Sequence, residues 1–154
     1  MIKLIEVTDA HRAAIASGMD ALSRLTGLMV PTGWPVYPDI FRQASDSSWP
    51  LFLFTDPDQA AIVGSGGFLT APDINGFVQI GYEVAPEHRG RGIATQAMRE
   101  ILSLKPDARL VAAVAPANHA SIAVLHKLGF RETGQVIRHS SEALSLWART
   151  QAVV

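Results

Sequence analysis

The stretch YEVAPEHRGRGIATQAM, Tyr82 to Met98, decides how this chain folds. A run from Phe77 to Val84 reads as a strand, and Pro86 closes it. Arg89-Gly90-Arg91-Gly92 follow, and a helical pattern begins at once, with Ile93, Ala97, Ile101 and Leu104 on one face of Ile93–Leu104. A strand that passes through a glycine-rich turn into a helix N-terminus is a ready anion site. The first-turn amides have no partner in the helix, and the dipole there favours negative charge. Glycines keep Cβ atoms from holding a ligand away from those amides. Arg89 and Arg91 can add charge-assisted hydrogen bonds from the rim. The ligand implied is a phosphate or pyrophosphate. The spacing is neither Gly-x-x-x-x-Gly-Lys-Ser/Thr nor Gly-x-Gly-x-x-Gly, which argues against a nucleotide-hydrolysing loop and a dinucleotide fold. On these residues alone, a tight turn with solvated arginines stays open as well.

Outward from this turn, the other elements fall into place. Ile2 to Val7 reads as a short strand, with Thr8 as cap of the next helix and Asp9 in its first turn. A helix is expected near Met19 to Leu25. The segment LMVPTGWPVYPDI is irregular, carrying three prolines between Pro31 and Pro38, and Asp39 to Ala44 reads as a short helix. Strands follow at Leu51 to Thr55 and in AAIVGSGGFLT, then at Phe77 to Val84. ARLVAAVA, from Ala108, is a near-continuous apolar run of the kind found in central strands. NHASIAVLHKLGF, Asn118 to Phe130, reads as a second helix capped by Asn118 and terminated by Gly129. Arg131 to Arg138 and Ala143 to Arg149 resemble a hairpin. The order is an α/β pattern with mixed strand directions.

The chain has 154 residues, is 48% hydrophobic and 18% charged, and is expected to form one domain over residues 1–154. Its net charge of -1 gives no global attraction to nucleic acid or anionic lipid, so neither is an expected partner. It contains no cysteine, which excludes disulfides, a thiol nucleophile and a thiolate metal site. The five histidines show no metal-ligand spacing, and no metal is expected. His88, His119 and His126 read as solvated helix or loop residues. MIKLIEVTDAHRAAI mixes charges among its apolar residues, and no segment offers about 18 continuous apolar residues for a membrane span. A soluble cytoplasmic protein is the expectation.

RGRGIA also fits Gln/Arg-x-x-Gly-x-Gly/Ala, the acetyl-coenzyme A pyrophosphate signature of the GCN5-related N-acetyltransferases (GNAT), with Arg89, Gly92 and Ala94 at the defining positions. NHASIAVLHKLGF resembles that family's second conserved element, Asn-x-x-Ser ending in Leu-Gly-Phe. The surroundings, IGYEVAPEHRGRGIATQAM, look like the branch that includes the ribosomal-protein N-terminal acetyltransferases. The resemblance implies a mixed, mostly antiparallel central sheet of about six to seven strands, splayed between the fourth and fifth and flanked by about four helices. It implies acetyl-CoA in the splay. The pantetheine would pair along Glu83 to Ala85, with Val84 and Ala85 beside it. The pyrophosphate would lie on Arg89, Gly90, Arg91, Gly92, Ile93, Ala94 and Thr95, with Asn118 and Ser121 near the coenzyme arm.

The reaction implied is direct attack of an amine on the thioester, which a chain without cysteine permits. The amine must be neutral. A lysine-like amine costs roughly 4–5 kcal/mol to deprotonate at neutral pH, and an α-amine about 1 kcal/mol. Glu83 is the base candidate; on a strand it shares a face with Gln79 and Gly81, opposite Ile80, Tyr82 and Val84. Its bland alternative is a surface glutamate paired across the sheet. Many family members protonate the leaving thiolate with a tyrosine, and the matching position here is Leu125. Ser121 is the second catalytic candidate, able to bond the sulfur or hold a water, or else is an ordinary first-turn serine. Trp34 and Tyr37 either line an acceptor site or cover the core. The acceptor is expected to be a small-molecule amine or a protein N-terminus, and the chain a monomer or homodimer. A non-catalytic acyl-CoA-binding sensor or interaction module is the competing reading, motivated by the missing tyrosine.

Overall fold

Alternation along one strand shows how the sheet is buried. In a computed structural model, described over residues 1–150, strand β2 (Leu51–Asp56) sends Leu51 and Leu53 into one apolar cluster and Phe52 and Phe54 into another. Both faces of the sheet are therefore covered. The first cluster holds Ile15 of α1 (Asp9–Ser17), Leu22 of α2 (Met19–Thr26) and Trp34 and Phe41 of the following loop. The second holds Ile93, Ala97, Met98 and Ile101 of α3 (Ile93–Leu102) and Leu125 of α4 (His119–Lys127).

The remaining strands are β1 (Lys3–Glu6), β3 (Ala61–Phe68), β4 (Phe77–Val84), β5 (Arg109–Val114), β6 (Arg131–His139) and β7 (Glu142–Arg149). The sheet has seven strands in the order β1-β2-β3-β4-β5-β7-β6. Every neighbouring pair is antiparallel except β4 and β5. That parallel pair holds over only three positions, Phe77↔Arg109, Val78↔Leu110 and Gln79↔Val111. Beyond them β4 stays bonded to β3 through Val84, and β5 stays bonded to β7 through Val114. The two strands thus part after Gln79, and the expected splay lies between the fourth and fifth strands.

The caps fall where the sequence places them. Thr8 accepts the His11 amide at the start of α1, and Asn118 accepts the Ser121 amide at the start of α4. Gly129 ends that helix at φ 87°, a conformation that favours glycine. Two helical segments and one burial differ from expectation by more than a strand-end residue. α3 ends at Leu102, two residues short of Leu104 and three before Lys105, within the usual fraying of a helix end. Asp39 to Ala44 is not an α-helix; a single 3-10 turn, Pro38–Phe41, stands there, started by proline and too short to propagate. His88 is buried rather than solvated, at 7% exposure, because the turn after β4 packs against the end of β2. No helix among the described residues is long and apolar enough to cross a membrane. The last four residues of the expected domain, 151–154, lie outside the described residues.

Candidate functional site

Where β4 and β5 diverge, a cavity of about 530 Å³ opens, within the range of small-ligand sites. Its walls come from both faces of the sheet. Ile80 and Tyr82 of β4 point toward the α3/α4 face, where Ala112, Val114, Ser121 and Leu125 join them. Gln79, Gly81 and Glu83 point the other way, toward Tyr37, Ile40 and Leu69 beside the first apolar cluster. The cavity therefore passes through the sheet by way of the splay. Ile137, Arg138, His139, Glu142 and Leu144 of the terminal hairpin supply the remaining wall.

On the helical side, Tyr82 and Ser121 form a hydroxyl pair. Tyr82 Oη lies 2.9 Å from Ser121 Oγ and donates to the Ser121 carbonyl, also at 2.9 Å. Asn118 fixes the turn that presents them by accepting the Ser121 amide at 3.1 Å. Burial pushes the Tyr82 phenol up to about 12, with the Ser121 hydrogen bond pulling in the opposite direction. The phenol thus stays protonated through the neutral range. Close packing holds it in place: a Cβ on Gly66 of β3 would stand 2.9 Å from Tyr82 Cβ and 2.8 Å from the Phe54 ring. Leu125 is fully buried and lines the same wall.

On the opposite side, Glu83 holds the proline-rich loop. Its two carboxylate oxygens accept the Val36 amide at 2.8 Å and the Tyr37 amide at 3.2 Å. The two aromatic candidates separate here. Trp34 is buried at 3% exposure, donates its indole N–H to Ser65 Oγ at 3.0 Å and meets Phe41 edge-on. It does not line the cavity. Tyr37 is exposed and does. Among the described residues no charged side chain pairs with Glu83 across the sheet; its partners are backbone amides.

A 3-10 turn, Pro86–His88, links β4 to the glycine-arginine turn. Gly90 and Gly92 adopt φ 78° and 74°, left-handed values that strain any residue with a Cβ. Among the described residues no side chain caps α3, which leaves its first-turn amides without a side-chain partner there. Ile93, Ala94 and Thr95 turn their side chains into the core and leave only backbone for a ligand. The Ala85 amide is committed to the Val63 carbonyl of β3. The two arginines behave differently. Arg89 donates through Nε to the Val84 carbonyl at 3.1 Å. Arg91 reaches Asp56 Oδ2 at 3.1 Å and His88 Nδ1 at 3.2 Å. The Arg91 hydrogen bond holds the Asp56 carboxyl below its ordinary range, against the opposing effect of burial.

Glu83, Tyr37, Asn118 and Ser121 thus border one cavity, whereas Val84 at the end of β4 and the segment from Ala85 to Thr95 beyond it lie outside its lining. Sequence reading assigned no role to Tyr82 or Asp56. Strand alternation puts Tyr82 on the helical face, but its partner stands 39 residues away, and nothing local marks the pairing.

A family model described as an acetyltransferase (GNAT) domain matches residues 6–131. The chain is similar to a Bacillus subtilis (strain 168) protein described as uncharacterized N-acetyltransferase YjdG. The two are 32% identical over 104 residues, 65% of this chain and 57% of that protein, so the chain spans little more than half the length of this relative. The fold is similar to that of ribosomal-protein-S5-alanine acetyltransferase from Vibrio fischeri, with TM-score 0.66, 18% identity and 97% and 93% of the two chains covered. It is also similar to spermidine N-acetyltransferase from Vibrio cholerae, solved with CoA and spermine, with TM-score 0.64, 16% identity and 97% and 95% covered. At these identities the structural likeness is one of fold.

Proposed function

This chain belongs to the GNAT acetyltransferase family, and on that premise we propose that it transfers an acetyl group from acetyl-CoA to a primary amine by direct attack. The observation that carries the reading is the cavity through the splay, open to a hydroxyl pair on one face and to a carboxylate on the other. Acetyl-CoA supplies the activated acyl group; the chain supplies orientation and proton handling. The coenzyme would lie on the α3/α4 side along Val84, since both backbone groups of Ala85 are bonded within the chain, with its pyrophosphate on the amides from Arg89 to Thr95 and on Arg89 itself. Asn118 and Ser121 border its arm.

The amine enters from the side of Tyr37. Glu83 takes the proton the amine loses as the N–C bond forms and the C–S bond breaks. Each Glu83 oxygen spends one lone pair on a loop amide and keeps another for this task. Ser121 turns its hydroxyl proton from Tyr82 Oη to the sulfur as it gains charge, while the Tyr82 proton stays on the Ser121 carbonyl and holds that turn in place. The phenolic proton is not given up. A thiolate with an ordinary value near ~8.5 facing a phenol at about 12 would need transfer uphill by about 5 kcal/mol. Water completes the thiol.

The test is acetyl-CoA turnover against a panel of polyamines, amino acids and N-terminal peptides, with free CoA thiol and acetylated product both quantified. Stoichiometric release with at least one acceptor is the expected result. CoA binding without turnover across the panel would instead favour an acyl-CoA-binding module, a reading that Leu125, standing where relatives carry a tyrosine, keeps in play.

A further inference from the structure

The sequence presents Arg89 and Arg91 as equivalent cations on either side of Gly90. Their surroundings separate them. Among the described residues Arg89 pairs with no carboxylate, and its one hydrogen bond leaves most of the guanidinium donors open. Arg91 is held by two groups, one at each terminal nitrogen. One is Asp56 at the end of β2, whose side chain is only 5% exposed. The other is buried His88, which offers Nδ1 as an acceptor. Asp56 is fixed in turn, since its other oxygen accepts the Asp58 amide at 3.0 Å.

We propose that Arg91 is a positioning residue for the anion turn, clamping it to β2 through Asp56 and His88, while Arg89 and the turn's amides contact the coenzyme pyrophosphate. This rests on the coenzyme reading above and assigns the parts within it. The physical need for a clamp lies in the glycines. Gly90 and Gly92 supply left-handed backbone and bare amides, but they are also the residues with most freedom to lose. An unheld Gly-Arg-Gly turn would reach its binding shape only at the cost of that freedom when ligand arrives. Arg91 sits between the two glycines, and its two-armed contact ties the middle of the turn to a strand before any ligand is present. Its charge is already matched by Asp56, so it adds little attraction for a second anion.

The clamp and a direct phosphate contact predict opposite signs for one substitution. Asp56→Asn removes the carboxylate charge while keeping the shape and an acceptor for the Asp58 amide. If Arg91 is a phosphate ligand restrained by Asp56, Asp56→Asn frees it and CoA binds as tightly or more tightly. If Arg91 is a clamp, CoA binding and the KM for acetyl-CoA worsen by about tenfold. Turnover of S-acetyl-N-acetylcysteamine, a thioester without pyrophosphate, stays unchanged under the clamp, which a general loss of fold would not allow. Arg91→Lys is the second variant. It keeps the charge but cannot span both partners, so the clamp predicts that it loses as much CoA affinity as Arg91→Leu, and a direct contact predicts that it keeps most. Calorimetric titration with CoA reads these affinities independently of turnover. Unchanged or tighter CoA binding by Asp56→Asn overturns the clamp, as does near-normal binding by Arg91→Lys. Failure of the unsubstituted chain to bind CoA overturns the coenzyme reading itself, and the clamp with it.

Discussion

On the α3/α4 side of the sheet, the helix cap and the glycine-arginine turn are each local in sequence, and one contact, Tyr82 to Ser121, spans 39 residues. Asn118 and Ser121 share one helical turn, and Arg89 to Thr95 form one continuous segment. On the other side, the wall is assembled from the loop around Tyr37, from Leu69 and Thr70 and from the hairpin tip. Its central hydrogen bonds, from Val36 and Tyr37 to Glu83, join positions 47 and 46 residues apart. The first side offers backbone amides at a helix start and a local cap, an arrangement that suits an anion. The second relies on long-range placement of loop side chains, which is where a shared fold accommodates different acceptors.

Substitutions on the two sides should therefore separate in kinetics. Glu83→Gln, on the loop side, has the larger expected effect. It lowers kcat about 10²-fold for a lysine-like amine and by about tenfold or less for an α-amine, because only the former demands a strong base. Its activity also rises less steeply with pH. Because glutamine offers one acceptor oxygen to two loop amides, the KM for the amine rises as well, while the KM for acetyl-CoA holds. Steady-state kinetics on both amine types check each part. An unchanged pH profile would remove Glu83 from the base role and leave it as the anchor of the loop.

Tyr82→Phe, on the helical side, has a smaller effect. Loss of one hydroxyl from the pair costs about 1 kcal/mol of transition-state stabilisation, or roughly fivefold in kcat, with little change in the KM for the amine. The same phenol leaves a signature in stability. It is held at about 12 against an ordinary 10.0, so the native state keeps a proton that the unfolded state has lost. Stability from this group is complete below pH 10 and is lost as pH climbs from 10 to about 12, by up to about 3 kcal/mol. Tm measured across that window should fall less steeply for Tyr82→Phe than for the unsubstituted chain.

The contrast between the two sides also marks what the sequence made legible. The glycine turn before α3, the Asn118 cap, the order of elements along the chain and the parting of the fourth and fifth strands could be read because local spacing or a resemblance carries each of them. The opposite wall could not. Trp34 and Tyr37 stand three positions apart in one aromatic, proline-rich segment, yet one is buried against Phe41 and Ser65 and the other faces the cavity. No periodicity separates them, because the loop has none. Glu83 was legible as a carboxylate on the correct face, but its two loop amides were not. Arg91 was legible as a cation, but its role depends on Asp56, 35 residues away on a strand whose pattern shows only that it is buried.

One cavity through the sheet, holding both substrates at once, would let acetyl pass directly between them. Initial velocities measured while acetyl-CoA and the accepted amine are varied together test it most directly. Simultaneous occupancy predicts double-reciprocal lines that intersect, with velocity dependent on both substrates in one complex. Parallel lines, the mark of an acetylated enzyme released from CoA before the amine binds, would contradict it.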